Sequence, residues 1–266
     1  HPPGPEKILA DYGIEPEEFD EQKFLRDLPT MQKDRITEGI FAPWAIHKKD
    51  YWYVGGHDDL FAPQSKEDSD IFNRLMLSGC KFKQTWKGMV YHLTSRGSRF
   101  NPMSGGAPGK DSPEWIHTTT KNMRNFIRKW GTPVLHDEYM KPIIKPKYDM
   151  GFVVRGVDEN LLSMLEPWCS TIYVDCSDEI VKSYIDKEQD NTTMELSKRI
   201  LPIQAPRDND VIIKFDALEL LAEVDNFKYI NMFPDIIQDS GEVGEMELEI
   251  FKFEIYSLKT YEKDLM

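Results

Sequence analysis

Three carboxylates stand close together in Glu67-Asp68-Ser69-Asp70, where an apolar run of helical spacing begins. The free N–H groups and the dipole at the start of a helix favour negative charge. Two adjacent acids there point in different directions, so one can bind the backbone while its neighbour faces a cleft. A free carboxylate at a cleft can accept a proton from a substrate. The pattern therefore indicates acid–base chemistry, with an acidic helix start that does no chemistry as the alternative.

The helix that would carry these acids has recognisable ends in the sequence. Ser65 can cap it, and Asp68 three residues later completes a capping-box-like pattern. Gly79 is expected to end it. Its apolar positions are Ile71, Phe72, Leu75 and Met76. Asp70 and Arg74 lie four apart on one helix face, which predicts a structural ion pair.

A glycine pair and several aromatic residues precede the acids. Gly55 and Gly56 would let the backbone approach a ligand closely, or would form a simple bulge or turn. Residues 39–46 and 51–54 are predicted to be strands. Their aromatic side chains indicate core packing, or a stacking face for an acceptor sugar in which Trp44 is the first candidate.

The stretch Glu67-Asp-Ser-Asp-Ile-Phe-Asn-Arg-Leu75 resembles the Glu-Asp-x-Asp-[hydrophobic]₂-x-Arg-Leu signature of GT-A glycosyltransferases. It is most similar to the inverting families 2 and 7, the second of which includes the β-galactosyltransferases. In these families a Gly-Gly pair precedes the signature, as Gly55-Gly56 does here, and a histidine follows the next strands, as His92 does in Met89-Val-Tyr-His92. The resemblance covers residues 1–130 and is specific over 51–93.

The resemblance implies transfer of a sugar, with inversion, from a nucleotide-sugar donor to a carbohydrate or other hydroxyl acceptor. Asp68 would be the general base that deprotonates the acceptor hydroxyl. Glu67 would orient or bind acceptor hydroxyls. His57 and Asp59 would line the sugar site beside the glycine pair. A histidine at position 57 departs from the aromatic or acidic residue more usual there, so the resemblance leaves the sugar open.

The resemblance also implies a divalent cation, Mn²⁺ or Mg²⁺. His92 would be one ligand, and a hydrogen-bonded structural histidine is an equal alternative. Arg96 and Arg99, in a long loop over 94–112, could clamp the donor diphosphate in a bidentate manner, although surface arginines are common in loops.

The nucleotide-binding half of a GT-A enzyme precedes the signature and ends with an Asp-x-Asp that holds the cation. The two Asp-x-Asp sequences of this chain, Asp68-Ser-Asp70 and Asp208-Asn-Asp210, do not stand in that order. The chain begins His1-Pro-Pro-Gly, without Met. We therefore expect the C-terminal part of a glycosyltransferase, without the ligand aspartates or a complete donor site.

Composition narrows the class of protein. The formal net charge is −13, and binding to nucleic acid needs a basic face, so a nucleic-acid partner is not expected. Three cysteines without a C-x-x-C favour a reducing, cytoplasmic compartment. No apolar run reaches the length of a membrane span. A homo-oligomer is one option for assembly.

The fold class expected is α/β, with a partial GT-A mixed sheet over 1–132, a proline- and lysine-containing linker over 133–149, and a small α/β domain over 150–266. Alternating strand and helix patterns support the last of these. The expected strands there are 150–154, 171–174, 200–203, 211–215 and 228–230, and the expected helices are 159–165, 178–187 and 217–223. Residues 245–257 are expected to form a strand or a helix and a strand. In the first part we expect helices over 5–12, 16–28 and 113–130, and strands over 81–87 and 89–93.

Three other interpretations stay open. The chain could be a non-catalytic carbohydrate-binding or assembly module derived from the glycosyltransferase fold. It could be a metal hydrolase that uses Glu67, Asp68, Asp70 and His92, although no H-x-x-H, H-x-H or H-E-x-x-H accompanies them. The C-terminal domain, whose role the sequence does not indicate, could be a docking platform through its acidic stretch 240–247, or that stretch could be a solvated loop.

Overall fold

The structure is a computed structural model that describes residues 7–13, 15–93, 102–107 and 110–266. It has the α/β class expected, with a mixed six-stranded sheet. The chain divides into two units: the described parts of His1–Asp58, Pro63–Thr120 and Val134–Ile143, and Asp59–Ala62, Lys121–Pro133 and Ile144–Met266. The expected linker over 133–149 is shared between the two.

The described residues of the first unit contain three helices that lie wholly within it and a minimal two-stranded sheet. The helices are α1 (Glu21–Met31), α2 (Lys48–Tyr53) and α3 (Glu67–Leu77), and the antiparallel strands are β1 (Ile36–Thr37) and β2 (Gln84–Thr85). Helix α4 (Pro113–Trp130) begins in this unit and continues into the second. A small core contains Val54 and three residues of α3: Ile71, Phe72 and Leu75.

Several secondary-structure predictions for the first unit are wrong. Residues 39–46 contain no strand, and the expected strand 51–54 falls largely inside α2. Residues 7–12 and 89–93 form neither helix nor strand, and only Gln84–Thr85 of 81–87 is strand. The acidic helix starts at Glu21, after a 3-10 turn at Pro16–Glu18. The aromatic residues of α2 favoured a strand because such residues are enriched in half-buried strands. In the structure Trp52 and Tyr53 are 61% and 75% exposed, so no sheet buries them. Helix 113–130 is confirmed.

The second unit is built on the six-stranded sheet. Its elements are β3 (Met150–Arg155), α5 (Glu159–Leu165), β4 (Thr171–Val174), α6 (Asp178–Glu188), α7 (Leu196–Arg199), β5 (Ile200–Pro202), β6 (Val211–Asp216), α8 (Ala217–Ala222), α9 (Asn226–Ser240), β7 (Gly244–Leu248) and β8 (Phe251–Ile255). The strand order is β5-β4-β3-β6-β8-β7. The first four strands in this order are parallel, and β8 runs antiparallel to both of its neighbours.

The sequence predicted most of these elements to within one residue. One strand expected at 228–230 is wrong, because those residues lie inside α9. Phe227, Ile230, Phe233 and Ile237 recur at helical spacing and pack into the core, and this periodicity outweighs the short β-like run. Residues 245–257 form the hairpin of β7 and β8.

The two faces of the sheet are covered differently. Phe152, Phe215 and Phe253 belong to the large core that also contains the apolar residues of α5, α6, α8 and α9. Alternate residues point the other way because successive side chains of a strand face opposite sides. On that side Val153 and Tyr173 pack with the segment that follows β5.

The edges of the sheet carry residues that disfavour pairing. Strand β5 has three residues and ends at Pro202, which has no backbone N–H to donate. At the other edge, β7 exposes the side chains of Glu245 and Glu247.

A buried ionic cluster stabilises the second unit. Glu166 is fully buried and accepts hydrogen bonds from Arg128 at 2.6 Å, Arg199 at 2.7 Å and the Tyr184 hydroxyl at 3.0 Å. Burial alone would raise the pKa of Glu166, but Arg199 and Arg128 hold it at about 2. The carboxylate is therefore a structural centre, which follows α5 and joins it to α4 and to the end of α7.

Candidate functional site

Arg74 connects the acidic helix to the glycine pair. Its Nε and Nη2 donate to Asp70 Oδ2 at 2.9 and 2.6 Å, and both side chains are almost completely buried. Nη2 also donates to the Gly56 carbonyl at 2.7 Å, and Nη1 donates to the Val54 carbonyl. The predicted ion pair is thus confirmed as a structural one. It also fixes the backbone on both sides of Gly55, which the sequence did not indicate.

The two glycines are required for different reasons. Both have positive φ, +82° at Gly55 and +72° at Gly56, which L-residues rarely adopt. A Cβ added at Gly56 would lie 3.0 Å from the Tyr51 ring, whereas one added at Gly55 would meet only Arg74 Nη1 at 3.8 Å. The close approach at Gly56 is therefore to Tyr51, and Gly55 is the position with room beside its backbone.

Helix α3 begins without the expected cap. Lys66 is the N-cap residue and makes no side-chain capping hydrogen bond, and both Ser65 and Lys66 have positive φ. The predicted capping box of Ser65 and Asp68 is therefore wrong. The two left-handed residues turn the chain sharply into the helix, and Glu67 and Asp68 occupy its first turn. Negative charge is favoured there by the helix dipole.

Glu67 and Asp68 are adjacent but lie in different surroundings. One Glu67 carboxylate oxygen, Oε2, is buried without a hydrogen-bond partner among the described residues. Burial raises the pKa of Glu67; its own backbone N–H lowers it, Asp68 raises it further, and His57 opposes the rise. Asp68 is partly exposed, and no described residue forms a hydrogen bond or ion pair with its side chain. Both side chains are partly exposed, and the difference between them is the buried oxygen of Glu67.

His57 lies among aromatic rings next to these acids. Its ring is edge-on to Trp44 at 6.4 Å and to Tyr51 at 5.8 Å, and its backbone N–H donates to the Tyr51 hydroxyl at 3.2 Å. Trp44 is half-buried and packs edge-on to Phe72 at 5.5 Å. Core packing thus uses one part of Trp44, and its role in stacking on a sugar stays a prediction.

Trp44 and His57 are in ring contact, Gly56 and His57 both approach Tyr51, and His57 acts electrostatically on Glu67. Gly55 lies against Arg74 of the helix that carries Glu67 and Asp68, and all of these residues are in the first unit. Sequence reasoning missed Tyr51 as the contact of both Gly56 and His57. The only signal for it was an aromatic residue five positions before the second glycine. Lys66 was also missed, because nothing in the sequence marks a lysine for a left-handed conformation.

The remaining predicted site residues are Asp59, His92, Arg96 and Arg99. Asp59 begins the short 3-10 helix Asp59–Phe61, which belongs to the second unit. His92 is exposed, and the described residues contain no group of three or more His, Cys, Asp or Glu side chains that could hold a metal ion. Arg96 and Arg99 lie outside the described residues.

No known protein family, curated protein or solved structure matches the chain. Within the part of the chain that the structure describes, no helix has the length and apolar character needed to cross a bilayer.

Proposed function

We propose that residues 44–58 and 63–77 of the first unit form the acceptor side of a GT-A-like inverting glycosyltransferase, which moves a sugar from a nucleotide-sugar donor to an acceptor hydroxyl. The observation that carries the proposal is the Arg74 contact set. The last acid and the arginine of the signature hold the glycine turn, and the first two acids stay out of that ion pair. This arrangement supports the proposal because it leaves Glu67 and Asp68 for the roles that follow.

Asp68 would act as the general base. A base must be ionised before it reacts and must be reachable by the acceptor hydroxyl. Asp68 is partly exposed at the first turn of α3, where the helix dipole favours its charge. The acceptor hydroxyl oxygen would attack the anomeric carbon of the donor sugar and lose its proton to Asp68. The nucleoside diphosphate would leave in the same step.

Glu67 would orient the acceptor. Its carboxyl group is partly desolvated, with a raised pKa, and holds one oxygen without a hydrogen-bond partner in the described structure. Such a group gains a hydrogen bond when an acceptor hydroxyl arrives. Trp44 and His57 would provide the apolar side of the same surface.

The described residues do not provide a complete cation site, so no step is assigned to Mn²⁺ or Mg²⁺. A metal role for His92 stays a prediction, as do the diphosphate contacts of Arg96 and Arg99. A cytoplasmic location also stays a prediction; it fits Cys80, Cys169 and Cys176, which are free thiols.

The experiment measures release of nucleoside diphosphate by the full-length protein from a panel of nucleotide sugars, with Mn²⁺ or Mg²⁺ and a panel of glycan acceptors. We expect Asp68→Asn to lower kcat by about 10²–10⁴-fold, the range for a lost general base. Glu67→Gln should mainly raise KM for the acceptor. The matched control is Asp34→Asn, which removes the same charge from a side chain that is 91% exposed.

A non-catalytic carbohydrate-binding module is the second candidate, favoured by the exposed Trp52 and Tyr53 on the helix that carries Tyr51. Glycan binding without transfer of a sugar from any of the donors would establish this candidate and overturn the proposed reaction. Equal transfer rates for Asp68→Asn and Asp34→Asn would overturn the assignment of the base.

A further inference from the structure

The parallel strands of the second unit contain a point where the chain reverses its direction across the sheet. From β3 the chain passes through α5 to β4 and then β5 on one side, and it returns to place β6 on the other side of β3. The connections that follow β3 and β6 therefore leave in opposite directions. In open α/β sheets, ligands bind outside the carboxyl ends of the strands at such a switch point.

Polar residues occupy that edge in one row. Arg155 at the end of β3 pairs with Asp216 at the end of β6, and Val154 pairs with Val174, so Asp175 stands level with Arg155 on the next strand. Asp216 is already engaged as the cap of α8, where it accepts from Leu218 N at 2.8 Å. Arg155 and Asp175 both have exposed side chains.

In the loop after β3, the backbone of Gly156 is exposed next to Asp175. Gly156 is exposed and has φ +74°, and a Cβ there would meet only Ala217 Cβ at 3.6 Å. Its N–H donates to both carboxylate oxygens of Asp175, at 2.9 and 3.0 Å. An ionised carboxylate has about four acceptor positions, so Asp175 can accept further hydrogen bonds from a ligand.

The spacing of these two residues has a chemical meaning. Asp175 follows Gly156 by 19 residues and stands at the end of the second strand of a β-α-β unit. In nucleotide-binding units of this kind an acid about 20 residues beyond the glycine accepts hydrogen bonds from the ribose hydroxyls. The loop Arg155-Gly-Val-Asp158 has one glycine rather than the three that cradle a diphosphate. Recognition through the ribose is thus favoured over recognition through a diphosphate.

We propose that the second unit binds a ribonucleoside at the carboxyl ends of β3 and β4. Asp175 accepts hydrogen bonds from the two ribose hydroxyls, the Gly156 backbone lies against the sugar, and Arg155 favours a ligand with an anionic 5′ substituent. This site does not depend on the proposed sugar transfer, because all of its residues lie in the second unit.

The full chain is titrated with adenosine 5′-monophosphate, uridine 5′-monophosphate and their 2′-deoxy forms. Calorimetry and ligand-observed NMR measure the binding. We expect the 2′-deoxy form of the bound nucleotide to bind about tenfold more weakly, the usual effect of one lost hydrogen bond to a charged group. Asp175→Asn should weaken the ribonucleotide by a similar factor and remove the preference for the 2′-hydroxyl. Asparagine keeps an oxygen that can accept from Gly156 N, so this variant should fold normally.

Asp190→Asn is the matched control, because Asp190 is exposed and stands beyond the far end of α6. Far-ultraviolet circular dichroism of each variant checks folding. Equal affinity for ribo- and deoxyribonucleotides, equal behaviour of Asp175→Asn and Asp190→Asn, or no saturable binding at millimolar nucleotide would each overturn the proposal.

Discussion

Replacement of Arg74 by methionine tests whether the signature arginine is a structural clamp. The change would remove the guanidinium that binds Asp70 at 2.6 Å, and Asp70 itself has no exposed surface. Removing one partner of a buried ion pair typically costs about 3–5 kcal/mol, because the remaining charge stays buried without that partner. The carbonyls of Val54 and Gly56 also lose a donor, so the cost should not fall below about 3 kcal/mol.

Hydrogen exchange measured by mass spectrometry would detect this change within the first unit. A loss of about 3 kcal/mol corresponds to opening that is roughly 150 times more frequent, in peptides that cover the glycine turn and α3. The control is Arg26→Met, since Arg26 is 71% exposed and approaches Asp27 only at 3.7 Å. An exposed pair of this kind contributes about 0–1 kcal/mol.

A double variant makes the test stricter. Asp70→Leu combined with Arg74→Met removes both charges, and it should be more stable than Arg74→Met alone because no charge is left buried. Exchange in Arg74→Met within about 1 kcal/mol of Arg26→Met would refute the clamp. A double variant less stable than the single one would refute the electrostatic reason for it.

Two further predictions concern titratable groups of the second unit. Glu166→Gln should destabilise that unit by about 3–5 kcal/mol in urea denaturation, since Arg199 would lose its buried counter-charge and Arg128 would keep only Glu188. The pKa of Glu166 is about 2 when folded and higher when unfolded, so its contribution is present above the unfolded value and is lost as pH falls towards 2. The pKa of Lys147 is lowered to about 7, first by burial and then by Arg199 and Lys129. Because the unfolded chain binds more protons between that value and the ordinary lysine pKa of about 10.4, stability should rise with pH across this window, by at most about 1.4 kcal/mol per pH unit, and Lys147→Met should remove this rise.

The elements of the second unit could be predicted because local patterns and the tertiary fold agree there. Strand β3 has five consecutive buried residues, and Asp158 caps α5 by accepting from Leu161 N at 2.8 Å. A continuous apolar run followed by a capping acid is typical of a buried parallel strand and its helix. Strand order was not predictable, because it depends on which strands meet after the chain has turned back.

The first unit could not be predicted as well because few of its residues are buried by regular structure. Its strands have two residues each, which is too short for an alternating pattern or β propensity to mark them in the sequence. The Asp70–Arg74 pair was predictable from helical spacing alone. Its contacts with Val54 and Gly56 were not, because they join residues 18 and 20 positions apart through a side chain and the backbone.

The two borders of the six-stranded sheet bear on how copies of this chain could associate. A neighbouring molecule that tried to extend the sheet beyond β5 would meet Pro202 on a strand only three residues long. On the opposite side it would bring its own Glu245 and Glu247 towards the same carboxylates if two copies met there. Proteins use short strands, proline and charge to block this kind of addition. Self-assembly by continuation of this six-stranded sheet is therefore disfavoured at both of its edges.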